Sequence, residues 1–182
     1  MGAQCARNES TVFWSIFRDN PLMHDGLPLF HVDHGNMITG PLDGDGLNAA
    51  MVAMGLQTDL DGETELEIMP EFVMTPLALK VAAEKLLVLR TLPTTDDETN
   101  PFKGELEPIS TQFLDKNSTD EWFMSASPSM VDTIEIAYLG GNREPFFDYQ
   151  EGFDVDGTKI KVRHEFGMKA IDWRGLVKST GV

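Results

Sequence analysis

The chain has 182 residues, 41% hydrophobic and 24% charged, the composition of an ordinary folded protein, long enough for one buried core with at most a lobe beside it. Thirty acidic side chains against fourteen basic ones leave a formal charge of -16. That balance argues against a protein that grips nucleic acid, because phosphate binding draws its affinity from Lys and Arg. A single cysteine, Cys5, excludes an intramolecular disulfide and suits a reducing compartment. No apolar run approaches the roughly 20 residues of a membrane-spanning helix, and residues 1–18 lack the basic-then-apolar order of a signal peptide.

In chain order, TVFWSIFR at residues 11–18 is β-branched and aromatic, and LPLFHV at 27–32 is a second apolar run beyond a turn-rich stretch. Together they predict an extended, hairpin-like arm. Such an arm would expose Trp14, Phe17, Leu29 and Phe30, more apolar surface than a projection leaves bare, so a partner is expected to cover these four. Next, Leu47, Ala50, Met51 and Met54 recur at helical spacing, which predicts a helix over 46–57 with Asp45 as its cap. The methionines read as core packing.

Leu66 and Ile68 alternate with Glu65 and Glu67, predicting a strand that runs toward Pro70. Within EFVMTPLALKVAAEKLLVLR the period changes, with Thr75 as helix N-cap, Pro76 at the first helical position, and Leu79, Ala82, Ala83 and Leu86 on one face. Residues 91–103 are polar and Pro-containing and read as a surface loop. Strands are expected over 105–114, 121–126 and 134–139. The clearest local signal is FDVDGTKIKVRHEF: Asp156-Gly157 precedes an alternation of Ile160, Val162, His164 and Phe166 with Lys159, Lys161, Arg163 and Glu165, which predicts a hairpin.

Complete catalytic and metal constellations do not emerge. His31-Val32-Asp33-His34 matches the latter half of the zinc motif HxHxDH, but Leu29 occupies the first ligand position and His24 and His164 do not supply the remaining pattern. A turn or interface role suits these histidines better. Two Asp-Gly clusters suggest calcium loops, yet placing Gly62 sixth puts Gln57 first and Ile68 twelfth, and placing Gly46 sixth puts Pro41 first and Val52 twelfth. The serines of MSASPSM lack the glycines of a nucleophile elbow and have only His164 downstream. Cys5 sits at a terminus, and neither GxGxxG nor a Walker loop occurs. No catalytic residue, metal ligand or cofactor is therefore assigned.

The ordered segments DGLPLFHVDHGN, LNAAMVAM, LEIMPEFVMTPLALKVAAEKLL, TNPFKGELEPI, EWFMSASPS, IEIAYLGG and GFDVDGTKIKVRHEFGMKAIDWRG resemble the C-terminal part of tailed-bacteriophage major capsid proteins. The likeness is to those fused behind a Clp-like prohead protease and, more loosely, to the major head subunits of Mu-like phages. DGxPLF and AxDWRG are its most specific pieces.

This resemblance implies an α+β, Hong Kong 97-type capsid fold. Residues 1–40 would hold the N-terminal segment and an extended loop (12–40) lying over a neighbouring subunit, and 41–182 the capsid core. Within that core, 47–57 would belong to the spine helix, the axial domain would begin at 69, and the last strands would return to the peripheral domain. The implied function is self-assembly into an icosahedral phage head or prophage-derived particle, with a metal-dependent or protease-associated enzyme fragment of a prohead protease and capsid fusion as the alternative. Partners would be copies of the chain in hexamers and pentamers, with scaffold or prohead protease, and neither membrane nor tightly bound nucleic acid. The chain would stay in the host bacterial cytoplasm until it entered the virion capsid. The first lysine is Lys80, so the covalent lysine-to-asparagine cross-link of the type member does not carry over, and noncovalent contacts are expected.

Overall fold

Side-chain alternation in one mixed sheet organises the protein, described here by a computed structural model for residues 2–88, 102–152 and 157–182. The sheet contains β1 (Met37–Ile38), β2 (Pro70–Pro76), β3 (Glu107–Thr111), β4 (Trp122–Ala126) and β9 (Leu176–Ser179), in the order β1-β9-β4-β2-β3. The β1/β9 and β2/β3 pairs are parallel, while β9/β4 and β4/β2 are antiparallel. Successive residues of a strand point to opposite faces. Trp122, Met124, Val73 and Val177 accordingly join one core, and Phe123, Met74 and Leu176 join another.

Helix α2 (Gly44–Gly55) packs on the first face through Leu47, Ala50 and Met54, and α3 (Lys80–Leu87) adds Leu87. The opposite face is covered by α1 (Gly2–Asp19), through Ile16 and Phe17, by α4 (Gln112–Asp115), through Leu114, and by the loop that carries Met23, Leu29 and Phe30. Helices on both sides of a sheet bury both of its faces, a mixed α and β architecture.

The predicted aromatic arm is corrected by the structure. Residues 11–18 lie in α1, where Phe13, Ile16 and Phe17 follow the helical 3, 4 spacing and turn one stripe toward the sheet. Phe17, Leu29 and Phe30 are 1%, 0% and 2% exposed, sealed within the chain's own core. Phe17 meets Phe123 edge-on, with ring centroids 5.4 Å apart, and Phe30 lies 5.3 Å from Phe123. Of the four residues expected to seek a partner, only Trp14 is half-exposed. The chain also bonds across residue 40: Met37 and Ile38 pair with Lys178 and Ser179, and the Gly40 carbonyl accepts from Ser179 Oγ at 2.6 Å and Trp122 Nε1 at 3.3 Å.

The α2 stripe is core, but its cap is Asp43, whose Oδ1 accepts from the Gly46 N–H at 2.8 Å, and not Asp45. The strand expected at Leu66 and Ile68 starts later, at Pro70, and runs through Thr75 and Pro76. Thr75 is therefore a buried strand residue bonded to Ser110 Oγ at 2.9 Å. The free N–H groups of Leu77 and Ala78 are met instead by the Asp115 carboxylate at 3.0 and 3.1 Å, which does the capping from a distant part of the chain. Residues 105–114 divide into β3 and α4. Most of the loop expected over 91–103 lies outside the described residues.

Close packing at the α2 N-terminus yields a stability prediction. A Cβ on Gly46 would stand within van der Waals overlap of the Pro41 carbonyl oxygen and 3.3 Å from the Trp122 ring. Backbone on one side and a fully buried indole on the other leave no room to yield, so Gly46→Ala is expected to destabilise the fold by about 1–3 kcal/mol. Urea unfolding measures this, and unchanged stability would show that α2 does not seat so closely.

Candidate functional site

Two further pairs of strands stand outside the main sheet. β5 (Ile134–Tyr138) pairs antiparallel with β8 (Phe166–Ala170), and between them the chain runs out and back as β6 (Phe146–Glu151) and β7 (Thr158–Arg163). Six cross-strand pairs and a bond from Gly152 N to the Gly157 carbonyl at 3.0 Å hold this ribbon together. The hairpin predicted near Asp156-Gly157 is present as this ribbon, although residues 153–156 lie outside the described set.

Directly opposed residues of an antiparallel pair share a face. The Phe147/Val162 and Tyr149/Ile160 pairs thus make one apolar face, while Phe146/Arg163, Asp148/Lys161 and Gln150/Lys159 make a polar one. On the polar face Arg163 lies 5.4 Å from the Phe146 ring, a cation–π contact. Among the described residues no layer covers the apolar face: Phe147, Ile160 and Tyr149 are 37%, 46% and 64% exposed. No other element packs extensively against the ribbon among the described residues.

A second apolar surface runs along α1. Phe13, Trp14 and Ile134 are shared by two adjoining cavities, each of about 260 Å³. One reaches between α1 and the sheet to Phe72, Met74 and Ile109, and the other reaches Ile136 and Met168 on the β5/β8 pair. Glu9 and Asp132 lie among the lining residues. At the foot of the ribbon, the nearly buried His164 places Nε2 3.3 Å from Glu9 Oε1, tying β7 to α1. Its Nδ1 is buried without a hydrogen-bond partner among the described residues.

The histidines singled out by the zinc-like motif serve the loop that carries Leu29 and Phe30. His34 Nε2 donates to Asp25 Oδ2 at 2.7 Å, its Nδ1 faces the Leu29 carbonyl oxygen at 3.2 Å, and its ring stacks on Trp173 with centroids 4.1 Å apart. Both ring nitrogens thus face protein acceptors, so neither directs a lone pair at a metal. His31 Nδ1 accepts from the Asp33 N–H at 3.2 Å, a local turn bond, and His24 stacks on the ring of Trp173 at 5.4 Å. In the Asp-Gly loop, Asp61 accepts from Glu63 N, Thr64 N and Thr64 Oγ1. These donors, the Thr64 hydroxyl first, push its carboxyl down to about 2.

Asp25 shows the same effect with a consequence for pH. Its carboxyl is held below the usual 3.8, first by the His34 hydrogen bond and then by the Leu27 N–H. A carboxylate depressed in the folded state stabilises the fold above its unfolded pKa, and that contribution disappears as pH falls through the lower folded value. Asp25→Asn is expected to lower stability at neutral pH and to flatten the acid branch below about pH 4. Unfolding followed from pH 6 to pH 2 checks this, and an acid branch identical to that of the parent chain would contradict it.

Sequence reasoning found β7 by its alternation but missed the first strand of the ribbon. Its signal was available in FFDYQE, where Phe147 and Tyr149 alternate with Asp148 and Gln150.

The profile of the phage capsid protein family matches residues 1–179. The chain belongs to that family. The family is that of phage capsid proteins, and the enzyme alternative gains no support from it. A solved structure from Mycobacterium phage Che8 is similar at 16% identity and a TM-score of 0.47, over 82% of this chain and 54% of the other, so the chain spans about half that protein's length. No curated protein matches the chain.

Proposed function

We propose that the chain is a non-enzymatic, self-assembling subunit of a phage head or prophage-derived particle, and that its fold is of the Hong Kong 97 type. On this reading residues 41–182 form the capsid core, with α1 and the following loop packed on it. The projecting element is the β6/β7 ribbon, since the segment expected to project lies within the core. Copies of the chain are the principal partners, with scaffold or prohead protease taking part before the shell closes. The chain resides in the host bacterial cytoplasm until then. A charge of -16 sets tight nucleic-acid binding aside.

The observation that carries the reading is the uncovered apolar face of β6 and β7. An isolated two-stranded hairpin is marginal in water, and three clustered exposed apolar side chains, Phe147, Tyr149 and Ile160, form a patch of the kind that marks an interaction site. A sister subunit supplies cover, and many modest contacts of this kind stabilise a closed lattice collectively.

Sedimentation velocity across protein concentration, with negative-stain microscopy of the fast fraction, tests the proposal. Rings, sheets or shells that grow with concentration are expected. A single monomeric species at every concentration would contradict it.

A further inference from the structure

We infer that His34 stands in the fold as a doubly protonated imidazolium, whose charge locks residues 20–36 to the turn before β9, and that the lock opens as the proton leaves. Three observations carry this.

The first is a pair of acceptors. His34 Nε2 lies 2.7 Å from Asp25 Oδ2 and Nδ1 lies 3.2 Å from the Leu29 carbonyl oxygen, with the side chain only 3% exposed. A neutral imidazole has one N–H and one lone pair. With its proton on Nε2, the Nδ1 lone pair would face a carbonyl oxygen. With it on Nδ1, the Nε2 lone pair would face a carboxylate. Only the cation has a donor for both.

The second is the state of Asp25. Its carboxyl is held below the usual 3.8, first by the His34 hydrogen bond, so at neutral pH it is an anion with no proton to share. Buried charge persists where it is paired and hydrogen-bonded. The third is Trp173, whose ring lies 4.1 Å from that of His34 with 7° between the planes. The face of an indole attracts a cation.

The same groups join distant parts of the chain. Asn36, fully buried, donates from Nδ2 to the Leu29 carbonyl at 2.8 Å and to the Trp173 carbonyl at 3.5 Å. Its own carbonyl accepts from Lys178 N at 2.9 Å, where β1 begins its pairing with β9. Leu29 and Phe30, which cover the sheet, are thus held in place through the His34 ring.

Other ionisable groups around the ring have partners of their own. His31 meets it edge-on at 6.1 Å and accepts from the Asp33 N–H. On the Trp173 side, Arg174 lies 4.8 Å from the indole and pairs with Asp172 at 3.2 Å, and His24 stacks on the same indole at 5.4 Å. After α2, the neutral Gln57 donates to the His34 carbonyl at 3.0 Å. Asp25 is therefore the counter-ion of His34 among the described residues. A bond made by a protonated histidine is complete on the acid side and disappears as pH rises and the folded imidazolium gives up its proton. Raising the pH sets a lone pair against a carbonyl or carboxylate oxygen and loosens the loop.

Two measurements on the full chain test this. Two-bond proton–nitrogen NMR of the histidine rings near pH 7 is expected to show protons on both nitrogens of His34. Amide exchange is read at Leu29 and Phe30, whose N–H groups bond to the Pro21 carbonyl and Asn20 Oδ1. Corrected for the chemical rate, it is expected to quicken roughly ten- to a hundredfold between about pH 6 and pH 9. His34→Gln, neutral throughout, should show no such rise. If that variant does not fold, ring NMR and exchange of the parent chain decide. A bare ring nitrogen on His34 near pH 7 would overturn the inferred charge. Exchange in the parent chain that stays constant, or rises equally in His34→Gln, would overturn the lock.

Discussion

Replacing Phe17 with alanine is expected to destabilise the monomer by about 3–5 kcal/mol, a fall in Tm of roughly 10 °C for a chain of this size. The ring is 1% exposed and touches Phe13, Trp14, Phe30 and Phe123. Its removal leaves a cavity between α1 and the sheet that neighbours on two elements and a loop cannot all close. The effect belongs to folding, so it should appear in unfolding curves recorded below the concentration at which copies associate. Unchanged unfolding accompanied by lost assembly would mean that residues 11–18 project as the extended arm read from their composition, and that α1 does not pack as described.

The double substitution Tyr149→Ser with Ile160→Ser is expected to do the reverse. Tyr149 and Ile160 are 64% and 46% exposed in the monomer, and exposed substitutions change stability by about 0.5 kcal/mol or less. Covered by a sister copy, each would stabilise the contact by roughly 1.5–3 kcal/mol. Losing both weakens each contact by roughly two to four orders of magnitude. Sedimentation should find the variant monomeric where the parent chain is assembled, with superimposable urea curves. Joint loss of stability and assembly would place these residues in the core of the fold instead of between copies.

These opposite expectations show what was legible in the residues and what was not. The alternation of Ile160 and Val162 with Lys159 and Lys161 identified β7, because a strand with one polar face records its period directly. The stripe of Leu47, Ala50 and Met54 identified α2 for the same reason at the helical period. Residues 11–18 misled because β-branched and aromatic side chains favour strands only where a pleated surface receives them. Here the 13, 16, 17 spacing and a waiting sheet face made a helix.

Thr75 and Pro76 looked like a helix start and ended a strand, since the capping group is Asp115, brought in by the fold from far along the chain. No local pattern records such a partner. The candidate site was affected in the same way. Trp14 and Phe17 both line the cavity beside α1, and Phe17, Leu29 and Phe30 are core residues. Whether an aromatic side chain is covered by its own chain depends on tertiary contacts that composition does not encode.

Hydroxyl-radical footprinting of Tyr149, comparing separated monomeric and assembled fractions of the parent chain, tests the central claim most directly. The account predicts that Tyr149, 64% exposed in the monomer, is strongly protected in the assembled fraction. Equal labelling of Tyr149 in both fractions would contradict it.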